Sequence, residues 1–159
     1  MKSTKLSHTT ADGRPQMVDV SDKAITKRVA RARATVKLGK DIINLIKNQE
    51  LNTKKGPVFQ TAIIAGVMAA KKTHELIPMC HPLPIEDCKI NISPTADSVI
   101  IDTEVTVTSK TGVEMEALTA ASVAALTIYD MCKALSHNIV IEDVMLMEKT
   151  GGKSNFKRQ

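Results

Sequence analysis

Three charged residues stand at the two ends of a long stretch of mostly small and apolar residues. Glu116 opens this stretch, and Asp130 and Lys133 close it. A carboxylate and an amine three residues apart touch when the chain is helical, and such a pair suits proton transfer. The alternative is a structural salt bridge at a helix end. Asp130 and Lys133 are therefore candidate acid–base residues.

The spacing of the two carboxylates restricts how they act together. Glu116 and Asp130 are 14 residues apart, which places them about 40° apart in helical projection. They also lie about 21 Å apart along a helix axis. If both serve one active site, we expect them to come from different chains or to contact opposite ends of a long substrate.

A proline-rich segment supplies a candidate histidine. Pro78, Pro82 and Pro84 surround the pair Cys80-His81, and proline restricts both its own backbone and that of the preceding residue. Rigid placement is much of what a catalytic group contributes. His81 is therefore the histidine that we single out.

Basic residues occur in two places where they could meet an anion. Lys54 and Lys55 precede a predicted helix that runs from about Val58 to His74, and backbone N–H groups at a helix start favour anions. Two solvated lysines are the alternative. Further upstream, Arg28, Arg31 and Arg33 cannot all lie on one face of a strand, so one or two of them could reach a phosphate.

The central helix is the element that must position these groups. It follows a turn at residues 110–112, where Thr111 is a candidate cap, and Glu114 and Glu116 fall in its first turn. Apolar and small residues then surround it on all sides, as in a fully buried helix. The chain's own sheet can cover only one side, so we expect another subunit to cover the rest.

Hydrophobic periodicity predicts the remaining elements. They are a strand at 30–38, a short helix at 41–47, a loop at 51–57, a helix at 58–74, strands at 86–93 and 98–108, the central helix and a last strand at 138–147. This order predicts an α+β fold with an antiparallel sheet and helices packed on one face.

The length of 159 residues predicts one domain, spanning 16–159. Residues 1–15 are polar and without pattern, and they predict a flexible N-terminal arm. The basic, glycine-rich residues 148–156 predict a mobile tail.

Composition narrows the class of ligand. The net charge is +5, which suits nucleic acid, an anionic membrane or a phosphorylated small molecule. Aromatic residues make up only 2%, too few for the stacking surfaces that bind single-stranded nucleic acid. No run approaches the length of a membrane span and no signal peptide is recognisable. We therefore expect a small anionic ligand, no nucleic acid or membrane partner, and a cytoplasmic protein.

Three cysteines without a C-x-x-C pair predict neither a disulfide framework nor a zinc site. Cys88 and Cys132 lie in apolar patterns and are predicted to be small core residues.

Five motifs together resemble the cyclic pyranopterin monophosphate synthases of molybdenum cofactor biosynthesis. They are Met17–Ser21 (MVDVS), Leu76–Leu83 (LIPMCHPL), Lys110–Ala120 (KTGVEMEALTA), Tyr129–Lys133 (YDMCK) and Lys149–Ser154 (KTGGKS). The resemblance covers about residues 16–156 in unbroken order, with Met79 at a position where the family is expected to have leucine.

The resemblance implies a ferredoxin-like fold and a homohexamer, a trimer of dimers, with active sites at subunit interfaces. It also implies a lyase that converts (8S)-3′,8-cyclo-7,8-dihydroguanosine 5′-triphosphate to cyclic pyranopterin monophosphate and releases pyrophosphate. The sequence offers no redox centre or flavin site, which suits a lyase without an organic cofactor, and no carboxylate cluster demands a metal. Mg²⁺ accompanying the triphosphate is left open.

The resemblance also assigns residues. Asp130 is the acid–base residue, Lys133 stands beside it, and Lys55 and His81 complete the catalytic set. The residues implied to bind substrate are Met79, Cys80, His81, Met115, Glu116, Glu114, Arg28 and Lys149.

The chemistry of the implied reaction agrees with these assignments. Proton shuttling requires a carboxylate and an amine with pKa values tuned by burial and proximity, and we expect Asp130 and Lys133 to form that pair. Arg28, Lys149 and Lys153 are candidates for holding the leaving pyrophosphate. The rival hypothesis is a non-catalytic nucleotide- or phosphate-binding oligomer with the same basic pocket.

Overall fold

A computed structural model describes residues 12–159 of the chain. Most of the predicted N-terminal arm, residues 1–11, lies outside the described residues. The strands are β1 Thr26–Lys37, β2 Asn52–Thr53, β3 Gly56–Pro57, β4 Asp87–Pro94, β5 Ser98–Ser109, β6 Val140–Thr150 and β7 Phe156–Lys157. The helices are α1 Lys40–Ile43, α2 Val58–Lys71, α3 Thr73–Leu76 and α4 Glu114–Cys132.

Five strands form one antiparallel sheet in the order β4-β5-β1-β6-β7. Helix α4 packs across β1, β5 and β6, and α2 packs beside α4 and contacts β4. The predicted α+β fold, with an antiparallel sheet and helices on one face, is confirmed, and the arrangement is ferredoxin-like. None of the helices in residues 12–159 is both long and apolar enough to cross a membrane.

Strand β1 shows why alanine occurs in a strand here. Ala30, Ala32 and Ala34 are at most 1% exposed and face the helices, and their small side chains let α4 approach the sheet closely. The alternate residues point to the other face, where Arg31 bonds Glu104 at 2.6 Å and Arg33 bonds the carboxylate of its β5 neighbour at 2.8 Å. The predicted strand and its two faces are confirmed.

Helix α4 is covered on two sides by its own chain. Its alanines facing β1 and α2 are fully buried, whereas Leu126 is 57% and Tyr129 is 37% exposed. The sheet covers one side of α4, as predicted, and α2 of the same chain covers a second side. Coverage of the rest by another subunit stays a prediction. A strip of apolar side chains on the outer side of α4 remains open to solvent.

Three predictions about helix ends differ from the structure. Val113, not Thr111, is the N-cap of α4, and the Thr111 hydroxyl donates to the carbonyl of Gly112 instead. The helix predicted at 41–47 ends at Ile43, because the N–H groups of Leu45 and Ile46 bond three residues back and turn the chain. The helix predicted at 58–74 is interrupted at Lys72, which separates α2 from α3.

Two other segments hold more structure than the sequence suggested. The predicted loop at 51–57 contains the hairpin β2–β3, paired Asn52 with Pro57 and Thr53 with Gly56. The last strand begins at Val140 and continues to Thr150, and β7 in the tail pairs back onto it. Mobility of this tail stays a prediction.

Candidate active site

The largest group of predicted site residues surrounds one cavity at the start of α4. The cavity has a volume of about 520 Å³. The predicted site residues that line it are Arg28, Met79, Cys80, His81, Glu114, Met115, Glu116, Lys149 and Lys153. We call this cavity the substrate pocket. Every residue that the resemblance assigned to substrate binding lies there.

The proline-rich segment forms one wall of the substrate pocket. Between α3 and β4 the chain has no regular structure, and it is held at its start by a bond from the Cys80 N–H to the carbonyl of Ile77 at 3.1 Å. Burial, with a smaller contribution from the charge of Glu116, raises the pKa of the Cys80 thiol. Cys80 therefore presents a neutral thiol beside His81.

Glu116 contributes a buried carboxyl group. It lies in the first turn of α4 and is 3% exposed. Burial raises its pKa from 4.5 to about 7, and the neighbouring charge of Glu114 acts in the same direction. Glu116 can therefore exchange a proton near neutral pH.

Another part of the pocket wall is cationic. The Lys149 ammonium lies 3.0 Å from the Glu114 carboxylate, and the guanidinium of Arg28 donates to the carbonyl of Lys110 at 3.2 Å. Within residues 12–159, the Nε of Arg28 is buried without a hydrogen-bond partner. A buried, unsatisfied guanidinium N–H is expected to attract an anion.

A glycine turn brings Lys153 to this wall. Gly151 has φ +81°, and a side chain there would overlap the carbonyl oxygen of Lys27. The Thr26 hydroxyl donates to the Gly151 carbonyl at 2.7 Å. Glycine is therefore required at position 151, since it lets the tail pass close to β1 and return along the pocket.

The remaining predicted catalytic residues form a second group, which we call the lysine–aspartate cluster. Asp130 accepts from the Lys133 ammonium at 2.7 Å and from the Lys55 ammonium at 2.7 Å. The Lys55 ammonium also donates to the Asp130 backbone carbonyl at 3.0 Å. Lys55, which the sequence placed in a loop just before a helix, is therefore in direct contact with Asp130.

Proximity, not burial, sets the protonation of this cluster. Hydrogen bonds from Lys133 and then Lys55 lower the pKa of Asp130 to about 2, and Asp130 in turn raises the pKa of Lys133. Their side chains are 54% and 55% exposed. The expectation that burial tunes this pair is wrong for a single chain, because α4 ends there at the surface.

The two groups do not meet within one chain. Of the four residues assigned to catalysis, only His81 lines the substrate pocket. Glu116 and Asp130 both lie on α4, and their 14-residue separation corresponds to about 21 Å along the axis. The structure therefore places the residues predicted to bind substrate and the lysine–aspartate cluster at opposite ends of one helix.

The position predicted for a bound anion at the start of α2 is occupied by a carboxylate of the chain itself. The Glu50 carboxylate accepts the backbone N–H groups of Phe59 and Gln60 at 2.8 and 3.1 Å. The neighbouring N–H of Val58 donates to the carbonyl of Leu51. A substrate phosphate cannot use these groups, so the predicted anion site at this helix start is wrong.

Sequence reasoning missed several residues of the pocket. Val18, Val20 and Lys23 line it, and the Lys110 ammonium fixes the same segment by donating to the Ser21 carbonyl at 2.6 Å. Met17–Ser21 was among the family-like motifs, but no local pattern placed this segment near α4. No group of three or more possible metal ligands occurs in residues 12–159.

The comparisons with known proteins agree on one family. The model of the MoaC family matches residues 17–152. A cyclic pyranopterin monophosphate synthase from Desulfitobacterium hafniense is 54% identical over 94% of this chain and 91% of its own length. A protein of the same name from Xanthomonas axonopodis pv. citri is 51% identical over 98% of this chain and 94% of its own length.

A longer relative contains a similar segment. Molybdenum cofactor biosynthesis protein 1 from Dictyostelium discoideum is 49% identical over 98% of this chain, but the matched part is 28% of that protein. The chain therefore spans less than a third of that relative.

Proposed function

The chain belongs to the MoaC family, which acts in molybdenum cofactor biosynthesis, and from this membership we propose that it is a cyclic pyranopterin monophosphate synthase. Its substrate is (8S)-3′,8-cyclo-7,8-dihydroguanosine 5′-triphosphate, and its products are cyclic pyranopterin monophosphate and pyrophosphate.

One observation carries this proposal beyond the family match. The residues of three separate family-like motifs, around His81, Glu116 and Lys149, converge on a single cavity of about 520 Å³. Ligand pockets commonly have volumes of about 300–1,000 Å³, so the cavity can hold a nucleotide-sized molecule.

The charges of the substrate pocket suit a polyphosphate. Arg28, Lys149 and Lys153 line one side, and fixed cations stabilise the charge that develops on a leaving pyrophosphate. Glu116 and His81 line the same pocket. In our proposal these two residues face the purine-derived ring, where the reaction needs proton transfers.

We propose that a neighbouring subunit completes each pocket with its own lysine–aspartate cluster. One chain holds its pocket and its cluster at opposite ends of α4, so one substrate cannot reach both ends in the same chain unless it extends over about 21 Å. Subunits related by a twofold axis could place one chain's cluster against the other's pocket. The proposed assembly is a homohexamer built as a trimer of dimers.

The outer surface of the helical layer supports such an assembly. Ile64 and Met68 on α2 are 62% and 55% exposed, and Leu126 on α4 is 57% exposed. Apolar side chains grouped on one helical surface are typical of a protein interface. Burying them against another copy would remove apolar area from water.

In the completed site the cluster would supply two ordered ammonium groups. The Asp130 carboxylate remains ionised at neutral pH, since its pKa is lowered to about 2, and it orients Lys55 and Lys133. In the proposal these amines donate protons and stabilise charge near the reacting ring. In this proposal Asp130 accepts a proton only once an amine has moved away from its carboxylate, because the hydrogen bonds from Lys133 and Lys55 lower its pKa.

The proposal needs no organic cofactor and no metal held by the protein. Any Mg²⁺ would arrive with the triphosphate, and an assay with and without a chelator tests this. Neither nucleic acid nor a membrane is a proposed partner, and the proposed location is the cytoplasm, which cell fractionation tests.

Pyrophosphate release from the cyclised nucleotide by the purified protein tests the proposed function. The enzyme should release one pyrophosphate for each cyclic pyranopterin monophosphate formed. The rival, a non-catalytic nucleotide-binding oligomer, would bind the same compound and release none. Binding without release would therefore reject the proposal and favour the rival.

A further inference from the structure

Glu50 makes three hydrogen bonds to the backbone on both sides of the hairpin that carries Lys55. One carboxylate oxygen accepts from the N–H groups of Leu51 and Phe59, both at 2.8 Å. The other accepts from the N–H of Gln60 at 3.1 Å. Charge-assisted bonds of this kind are among the stronger hydrogen bonds in proteins.

These bonds replace the cap that α2 lacks. Its N-cap residue is Pro57, which makes no side-chain capping bond. The first N–H groups of a helix have no partner inside the helix and need an acceptor. Glu50 supplies that acceptor from outside the helix, from a position before the hairpin begins.

The same bonds close the base of the hairpin β2–β3. The Val58 N–H donates to the carbonyl of Leu51 at 2.8 Å, and Glu50 binds the N–H groups on either side of this link. Near the tip, the Lys55 N–H donates to the hydroxyl of Thr53 at 3.2 Å. The hairpin is therefore held at its base and near its tip.

The tip carries the amine that reaches α4. The Lys55 ammonium lies 2.7 Å from the Asp130 carboxylate and 3.0 Å from its carbonyl. A lysine side chain loses much rotamer freedom when its amine is held in one place. A fixed hairpin backbone keeps the amine within reach of Asp130, so that fewer positions compete with this contact.

We propose that Glu50 is a positioning residue: by tying the base of the hairpin to the start of α2, it holds the Lys55 amine against Asp130. The role of Lys55 in turnover rests on the proposed function. The position of Lys55, held by Glu50, does not.

Glu50→Ala removes all three acceptor contacts and should let the hairpin move. We expect kcat to fall by about 10- to 100-fold, because small misplacements of catalytic groups cost that much. KM should change little, because the substrate pocket does not include the hairpin. Glu75→Ala, which removes an exposed carboxylate from the first turn of α3, is the matched control and should leave kcat unchanged.

A second measurement reports on the position of Lys55 without catalysis. The pKa of Asp130 is held at about 2 by Lys133 and Lys55. If Glu50→Ala moves Lys55 away, the pKa of Asp130 should rise, and carbon-13 NMR titration of the side-chain carboxyl measures it. A helix cap with only a structural role would lower the melting temperature and leave this pKa unchanged.

Glu50→Gln covers the case in which the alanine variant does not fold. Glutamine has the same length and keeps one acceptor oxygen. Its NH2 group, however, faces a backbone N–H and cannot accept a hydrogen bond from it. We expect smaller changes in the same directions. A folded variant that keeps the wild-type kcat and the wild-type pKa of Asp130 would overturn the inference. If the wild type itself releases no pyrophosphate, the proposed function fails while the titration still tests the position of Lys55.

Discussion

Glu116 and Asp130 lie on the same helix, and their environments move their pKa values in opposite directions. Burial raises the pKa of Glu116 to about 7, whereas two ammonium groups lower the pKa of Asp130 to about 2. A group with a pKa near the working pH exchanges protons most readily. At the residue scale, Glu116 therefore suits proton exchange in the free protein, and Asp130 suits the orientation of Lys55 and Lys133.

Substitution of Glu116 tests its burial through the pH dependence of stability. The folded state binds more protons than the unfolded state between pH 4.5 and about 7. Wild-type stability should therefore fall as the pH rises through this range, by about 3 kcal/mol in total. Glu116→Gln cannot titrate and should lose this slope.

Chemical denaturation at several pH values, at one protein concentration, measures the free energy of unfolding of the wild type and of Glu116→Gln. Glu142→Gln, at an exposed strand position, is the control and should keep the wild-type slope. If the free energy of unfolding depends on pH in the same way for the wild type and Glu116→Gln, the raised pKa of Glu116 would be contradicted.

Substitution of the lysine–aspartate cluster tests its role in turnover. Asp130→Ala or Lys133→Ala should lower turnover by about 10²–10⁴-fold, since removal of an acid–base group has effects of this size. Assembly should stay intact, because the exposed apolar side chains of α2 and α4 that are proposed to form the interface are unchanged. Pyrophosphate release and size-exclusion chromatography measure the two properties.

Lys54→Ala is the control for the cluster, because it removes a neighbouring amine that is not one of the two bound to Asp130. Unchanged turnover in Asp130→Ala or Lys133→Ala would reject the assigned catalytic roles.

At the scale of elements, the contact between α2 and α4 depends on Gly66. A Cβ at this position would lie 2.5 Å from Cδ1 of Ile90 and 3.0 Å from the carbonyl oxygen of Ala120. Gly66→Ala should destabilise the protein by about 1–3 kcal/mol through overpacking. This loss should exceed the gain of about 1 kcal/mol from the better helix propensity of alanine.

Thermal or chemical denaturation measures this effect. Ile90→Val removes the nearest atom, so the double variant should recover part of the loss, while the close carbonyl of Ala120 remains. A Gly66→Ala protein more stable than the wild type would show that the two helices are packed less tightly than described.

At the scale of the whole molecule, mixed oligomers test whether neighbouring subunits share a site. Asp130→Ala and Glu116→Ala should each be inactive alone. Mixed and allowed to exchange, they should regain activity, with about one site in four restored under random mixing. A mixture of Asp130→Ala with Lys133→Ala is the control and should stay inactive, because both changes damage the same cluster.

The assembly itself should have six times the mass of the 17.2 kDa chain, which light scattering measures. Differently tagged subunits that purify together would demonstrate exchange. Exchange without recovered activity would show that one chain supplies both the pocket residues and the cluster.

The amino-acid sequence was sufficient for the order of the main elements, and it also pointed to residues that the fold brings into one pocket. The alternation in β1 and the apolar length of α4 follow from local periodicity, which depends on side chains close together in the chain. The family-like motifs around His81, Glu116 and Lys149 could also be recognised from the sequence alone, and the structure brings these residues into one pocket.

Only the tertiary structure decided which groups meet. The Glu50 carboxylate binds N–H groups nine and ten residues away, and Lys55 reaches Asp130 across 75 residues. No periodic pattern encodes such contacts, because they depend on how separate elements pack. For the same reason the opposite pKa shifts of Glu116 and Asp130 became visible only in the fold, where the start of α4 is buried and its end reaches the surface.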